Sequence, residues 1–189
     1  VDGICSTTIL FNALKDFGLD VKVVIPERVN GYGLTEGVID QVVETYCPDL
    51  LVTVDCGIGG YKEVEYLKDL GLDVIVTDHH EIPEILPDCI TVNCKLKNQD
   101  YPFDSLCGAG VAYKLACALI GEKADETLDL VATATVADSM DLIDENRDIV
   151  CEGLKIFNNV NKLRLPFKYL LGENAKKVTA QTLAYQIAP

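Results

Sequence analysis

Asp73-Val74-Ile75-Val76-Thr77 runs without a break into Asp78-His79-His80, and this stretch decides how the chain is read. A β-branched run of this length predicts a strand. The triplet after it offers three potential metal or phosphate ligands and holds all the histidine of 189 residues. A strand that stops at such a triplet reads as the tip of an element feeding a site, not as core.

The same pattern occurs once more, upstream. Leu50 to Val54 is a continuous apolar run ending at Asp55-Cys56-Gly57, as expected of a strand buried on both faces of a parallel sheet. Between the two runs, residues 61–70 predict a helix closed by Gly71. Nearer the start, Ile9, Leu10, Ala13, Leu14 and Phe17 repeat at helical spacing up to Gly18, so residues 5–17 predict a helix. Val21 to Ile25 predicts a short strand, Arg28 to Leu34 a glycine-containing loop, and Val38 to Tyr46 a helix ending before Pro48. From Gly108 onward the pattern turns helical, over 108–120, 125–137, 146–158 and 179–187. The fold class is therefore α/β: a parallel sheet flanked by helices over 1–107, followed by a mainly helical part over 108–189.

Composition narrows the function. A formal net charge of −14 argues against a dedicated nucleic-acid-binding module, but the average hides an asymmetry. Residues 1–150 carry 10 Lys+Arg against 28 Asp+Glu, whereas 151–189 carry 6 against 2. Acidic clusters in the larger part suit cations; a polyanion would need local basic patches. No apolar run reaches the roughly 18 to 20 residues of a membrane span, so no membrane partner is expected. Eight scattered cysteines without a Cys-x-x-Cys pair suit small buried side chains in a reducing cytosol. Cys89 and Cys94 with the histidines have the wrong spacing for a standard zinc site. The opening Val1-Asp2-Gly3 has no methionine, basic segment or apolar stretch, so the beginning reads as cut.

In open parallel sheets the ligand crevice lies outside the carboxyl ends of the strands. Asp55 and the Asp78-His79-His80 triplet should therefore converge. Leu128, Val131 and Thr135 mark the inward face of the helix at 125–137, and Asp138 falls on the same stripe; an inward acid needs a partner, which a shared cation would supply. Each residue alone has a plainer reading: Asp55 suits a turn or a cap for the helix at 61, Asp78 a cap for the next segment, and Asp138 a solvated helix end. Their joint placement favours one site.

With Asp55-Cys56-Gly57, Asp78-His79-His80 and Ala137-Asp138 in that order, the chain resembles the DHH phosphoesterase superfamily. Pro26-Glu27-Arg28 with Gly31-Tyr32-Gly33-Leu34, Val92-Asn93, Cys107 through Leu115, and Thr135 through Asp138 followed by Glu145-Asn146-Arg147 are similar to its RecJ-type branch, single-strand-specific 5′ to 3′ exonucleases. The resemblance implies one DHH domain over 1–189, incomplete at both ends. Of the family's first motif, Asp-x-Asp-x-Asp-Gly, only the end is present as Asp2-Gly3, and Cys94 stands where Val-Asn-Pro is usual.

The resemblance further implies metal-dependent phosphodiester hydrolysis by two Mn²⁺ or Mg²⁺ ions, with single-stranded DNA as partner, in the cytoplasm, in repair or recombination. Asp55, His79 and Asp138 are the implied metal ligands, with Asp55 bridging. His80 is the implied phosphate contact and Asp78 its support. Arg28 is a candidate phosphate contact, and Gly108 and Gly110 could let a helix N-terminus approach phosphate, although tight helix-on-sheet packing explains those glycines equally simply. Lys95 and Lys97 would extend the patch, unless they are solvated loop residues. With the first motif incomplete, this stretch alone is expected to bind Mn²⁺ weakly and to hydrolyse little DNA. Alternatives are a phosphodiesterase for oligonucleotides or cyclic dinucleotides, an inorganic pyrophosphatase, and a non-catalytic binding module of the same fold.

Overall fold

The computed structural model describes residues 1–26, 33–97, 99–172 and 177–189. Three parallel strands form its sheet in the order β1-β2-β3: β1 (Leu50–Val54), β2 (Asp73–Thr77) and β3 (Ile90–Val92). Register pairs Leu51 with Val74 and Val54 with Thr77, so β1 and β2 end side by side, and Asp55 and Asp78 leave the sheet from adjacent tips. Strand alternation sends the side chains to two cores. Leu51, Val74 and Val76 pack with Ile39, Val64 and Leu67 under α2 (Glu36–Tyr46) and α3 (Tyr61–Asp69). Val52, Val54 and Val92 face the larger core formed by α1 (Asp2–Asp16), α4 (Gly108–Ile120), α5 (Leu128–Ala137) and α6 (Asp144–Phe157).

Most boundaries follow from local chemistry. In α1 the last turn passes into Gly18 at φ 97, a conformation that glycine adopts without steric cost. Thr35 caps α2 through its hydroxyl, and the helix stops at Cys47, left-handed at φ 45, before Pro48. A seven-residue 3-10 stretch, Gly121–Thr127, precedes α5, which therefore begins at Leu128 and not at 125. The helix expected over 179–187 is one α-helical turn, α8 (Ala180–Thr182), running into a π-helical Leu183–Ile187. A further helix, α7 (Leu165–Leu171), starts with Pro166 in its first turn, where a missing N–H costs nothing.

The strand expected over 21–25 does not form. Residues 19–26 are irregular, with Val23 and Ile25 exposed. β-propensity acts through a neighbouring strand and a covered face, and this segment pairs with none of the described strands. The expected loop over 28–34 falls mostly outside the described residues.

Candidate metal centre

Four side chains from four elements meet at the carboxyl end of the sheet. His79, just beyond β2, is the hub: its Nε2 lies 3.1 Å from Asp55 Oδ1, 3.5 Å from Asp2 Oδ2 and 3.7 Å from Asp138 Oδ2. Asp55 extends from the tip of β1 with φ 56, a left-handed backbone that a non-glycine residue adopts at a cost and that is common at functional sites. Gly108 makes room for it: a Cβ there would stand 2.7 Å from both Asp55 Cβ and Oδ1. Asp138 ends α5, with its side chain 38% exposed, so the cluster opens to solvent on that side.

Asp2 is the member that the strand-end pattern does not reveal. Its carboxylate accepts hydrogen bonds from Gly108 N and Ala109 N, both at 2.7 Å, and so closes the first turn of α4. The available signal is the Asp2-Gly3 dipeptide, similar to the end of the motif Asp-x-Asp-x-Asp-Gly, which strand-end reasoning does not single out as a ligand. This pairing also corrects the expectation for the glycines. The Gly108 and Ala109 amides are turned to Asp2 and not left open for phosphate, Gly110 N donates to Cys107 Sγ, and a Cβ at Gly110 would press on Leu106 at 3.1 Å. Close packing accounts for both glycines.

Asp78 turns its carboxylate back on its own loop. It is buried, accepts from Ile58 N and His79 N at 2.9 and 2.7 Å and from His80 N at 3.2 Å, and lies 2.7 Å from His80 Nδ1. Burial would raise its pKa, but the donors of Ile58, His80 and His79 outweigh it and hold the carboxyl below its ordinary value. It does not cap a helix, and neither does Asp55, since the cap of α3 is Gly60. The Asp78 contact fixes the His80 ring, which packs against His79 with centroids 4.5 Å apart.

The donor set fits a hard divalent cation. Asp55 Oδ1 is buried and receives no hydrogen bond among the described residues despite its closeness to His79, as an oxygen does when its natural partner is a metal. Two ligand groupings satisfy close mutual spacing, Asp2-His79-Asp138 and Asp55-His79-His80. Crowding shows in protonation. Burial, then Asp55, pushes the Asp2 carboxyl up to about 6 against the pull of the Ala109 and Gly108 amides. For His79, burial lowers the pKa, but the contact with Asp55 and the charges of Asp2 and Asp138 outweigh it and raise it above the ordinary imidazole value. Carboxylate and imidazole donors together suit Mn²⁺ or Mg²⁺.

Other candidates lie elsewhere. Arg28 falls outside the described residues. Lys95 pairs with Glu81 at 2.7 Å and Lys114 with Glu145 at 2.8 Å. Cys94 is buried, with its thiol donating to Asp104 O at 3.1 Å, which ties the loop before α4 to the end of β3. Asn93, also buried, holds His80 O through Nδ2 at 3.0 Å and Lys95 N through Oδ1 at 2.8 Å.

Residues 1–135 match the family model described as DHH family, N-terminal domain. The chain belongs to the DHH family. Among relatives, the single-stranded-DNA-specific exonuclease RecJ of Bacillus subtilis (strain 168) is 41% identical over 191 residues, covering 100% of this chain and 24% of that protein. The RecJ exonuclease of Escherichia coli (strain K12) is 34% identical over 209 residues, covering 100% of this chain and 36% of that protein. Two solved DHH-family structures superpose on the whole chain. Exonuclease RecJ bound to manganese has a TM-score of 0.83 at 34% identity, with 49% of its length covered. RecJ in complex with Mn²⁺ from Thermus thermophilus has 0.79 at 34%, with 27% covered. The chain thus spans about a quarter to a third of these curated DHH relatives.

Proposed function

We propose that this chain is the metal-binding part of a divalent-metal-dependent exonuclease that hydrolyses single-stranded DNA in the cytoplasm during repair or recombination. The observation that carries the reading is the convergence of Asp2, Asp55 and Asp138 on His79 Nε2, beside a His80 ring held by Asp78. Relatives matching the full chain are single-stranded-DNA-specific exonucleases, and the whole-chain structural matches hold manganese.

Asp55, His79, Asp138 and Asp2 would hold Mn²⁺ or Mg²⁺, which would supply positive charge against the charge that develops on the attacked phosphate. The protein's own parts divide the remaining work. Asp78 accepts from the Nδ1 side of His80, so the ring presents Nε2 toward the phosphate, where the imidazolium form can donate to a non-bridging oxygen. The left-handed turn at Asp55 sets its carboxylate before any ligand arrives, which removes a reorganisation cost from the reaction. Asp2 binds the α4 amides and faces His79, coupling a helix end to the site.

In the full-length protein, Asp55→Ala and His79→Ala should abolish Mn²⁺-dependent release of nucleotides from 5′-ended single strands while circular dichroism remains unchanged. Near-normal turnover in either variant would refute the site. Digesting long single strands beside dinucleotides and cyclic dinucleotides separates the exonuclease from a small-substrate phosphodiesterase.

A further inference from the structure

Each of the first three residues of α6 makes its structural mark before the helix reaches the core. Asp144 starts the helix at φ 41, a left-handed conformation. Glu145 receives the Tyr101 hydroxyl at 2.5 Å and the Lys114 ammonium at 2.8 Å, joining the loop before α4 to α4 itself. Asn146 is fully buried and spends both hydrogens of one amide nitrogen on two separate loops: Nδ2 donates to Ser105 O at 2.7 Å and to Asp141 O at 3.0 Å.

Those two carbonyls lie on the two segments that deliver Asp2 and Asp138 to the metal centre. Ser105 is two residues before Cys107, the cap of α4, whose Gly108 and Ala109 amides hold Asp2. Asp141 is three residues after Asp138, in the turn that leaves α5 through Ser139 at φ 59. The Ser105 carbonyl therefore reports the position of Asp2, and the Asp141 carbonyl that of Asp138. Among the described hydrogen bonds, Asn146 is the one side chain that donates to both loops, while Cys107 Sγ meets Thr135 Oγ1 at 3.5 Å alongside them. A buried amide with both hydrogens committed is costly to disturb, since a lost donor leaves two carbonyls unsatisfied.

We infer that Asn146 is a positioning residue for the metal centre, a clamp that sets the spacing between the Asp2 and Asp138 carboxylates beside His79. The inference rests on reading the cluster as a metal site. Asn146 touches neither the ligands nor the substrate; it acts through the backbone of two loops. The chemistry needs an amide at this position. Aspartate has the same shape but would turn a carboxylate toward two carbonyl oxygens, and alanine leaves both loops untied.

The test is a titration of the full-length protein with Mn²⁺, following free Mn²⁺ by electron paramagnetic resonance, and in parallel the Mn²⁺ dependence of turnover. Asn146→Ala should raise the Mn²⁺ half-saturation by about 10- to 100-fold, the range for groups that orient metal ligands, and high Mn²⁺ should restore most of kcat. Asn146→Ser, which keeps one donor, should fall between alanine and wild type, and it carries the test if the alanine variant does not fold. Arg164→Ala serves as a control for stability loss away from both loops and should leave the half-saturation unchanged. Wild-type Mn²⁺ uptake by Asn146→Ala, or by Asn146→Ser where that variant carries the test, overturns the clamp. An equal shift in Arg164→Ala also overturns it, because general loosening would then explain the effect. Wild-type protein that takes up no Mn²⁺ would sink the metal reading and the clamp with it, whereas uptake by wild type and variant alike sinks the clamp alone.

Discussion

Asp2 and His79 share one physical situation: each is buried among acids, and the fold raises the pKa of both. Asp2 moves from 3.8 up to about 6, and His79 rises above 6.5. A raised folded pKa means that the native state holds a proton the unfolded chain releases, so the associated stability is present at low pH and is lost as pH rises through the folded value. The Asp2 contribution is full below its ordinary value and is lost between 3.8 and about 6, and that of His79 is full below 6.5 and is lost above it. Asp78 and Glu145 are shifted the other way, and their contribution is lost only on acidification below the ordinary carboxylate range. In chelator, the urea midpoint should therefore fall as pH goes from 5 to 8, and Asp2→Asn should flatten the part below pH 6. A midpoint that climbs over this interval would contradict the assignment. Added Mn²⁺ should reverse the slope, because ligation requires the deprotonated groups.

Among the elements, the sheet places the site and the helix pairs hold it. The register of β1 against β2 brings Asp55 and Asp78 to neighbouring tips, and Thr77 Oγ1 reinforces the alignment by donating to Thr53 O at 2.7 Å. Behind them α5 and α6 pack closely enough that a Cβ at Gly153 would stand 2.4 Å from both Ala132 Cβ and Leu128 O. Gly153→Ala gains about 1 kcal/mol of helix propensity but must push apart two helices, at a cost of roughly 1–3 kcal/mol. The clash should win, because the Leu128 carbonyl cannot move without α5. Net destabilisation in denaturant melts is the expected outcome, and a stabilised variant would show that the helices can slide. These elements were legible to different degrees. β1, β2 and α4 announce themselves by unbroken apolar runs or by glycine punctuation. β3 is only three residues long and gains its identity from pairing with β2, while residues 21–25 have strand composition but no partner among the described strands. Propensity is a property of the segment; pairing belongs to its neighbours.

Across the whole molecule, the helical part following α4 anchors itself to the larger core through a few polar bolts. Asp129 is buried at the start of α5 and meets Arg164 Nε at 2.7 Å, while the guanidinium also donates to Glu126 O at 2.7 Å. Asn158 and Val178 exchange hydrogen bonds of 2.9 and 3.0 Å, fastening the last helical turns to the end of α6. Arg164→Ala would leave the Asp129 carboxylate buried without its cation, a loss of about 3 kcal/mol, at the low end of the range for broken buried pairs because Arg164 is itself partly exposed. Thermal melts should show the drop, and replacing both residues together, as in Asp129→Leu with Arg164→Leu, should recover much of it. A single Arg164→Ala variant as stable as wild type would mean that the pair is cosmetic. Apolar periodicity and strand-end polar clusters are local properties that a bare chain already displays, so the class of fold, the order of most elements and the convergence of Asp55, His79 and Asp138 could be read from the residues. Folding in three dimensions settled the rest: Asp2 joins them, the Gly108 and Ala109 amides are already taken, and Asn146 ties the two flanking loops. Those are contacts between residues as many as 107 positions apart, and sequence spacing carries no information about which distant donors a folded chain brings to one carboxylate.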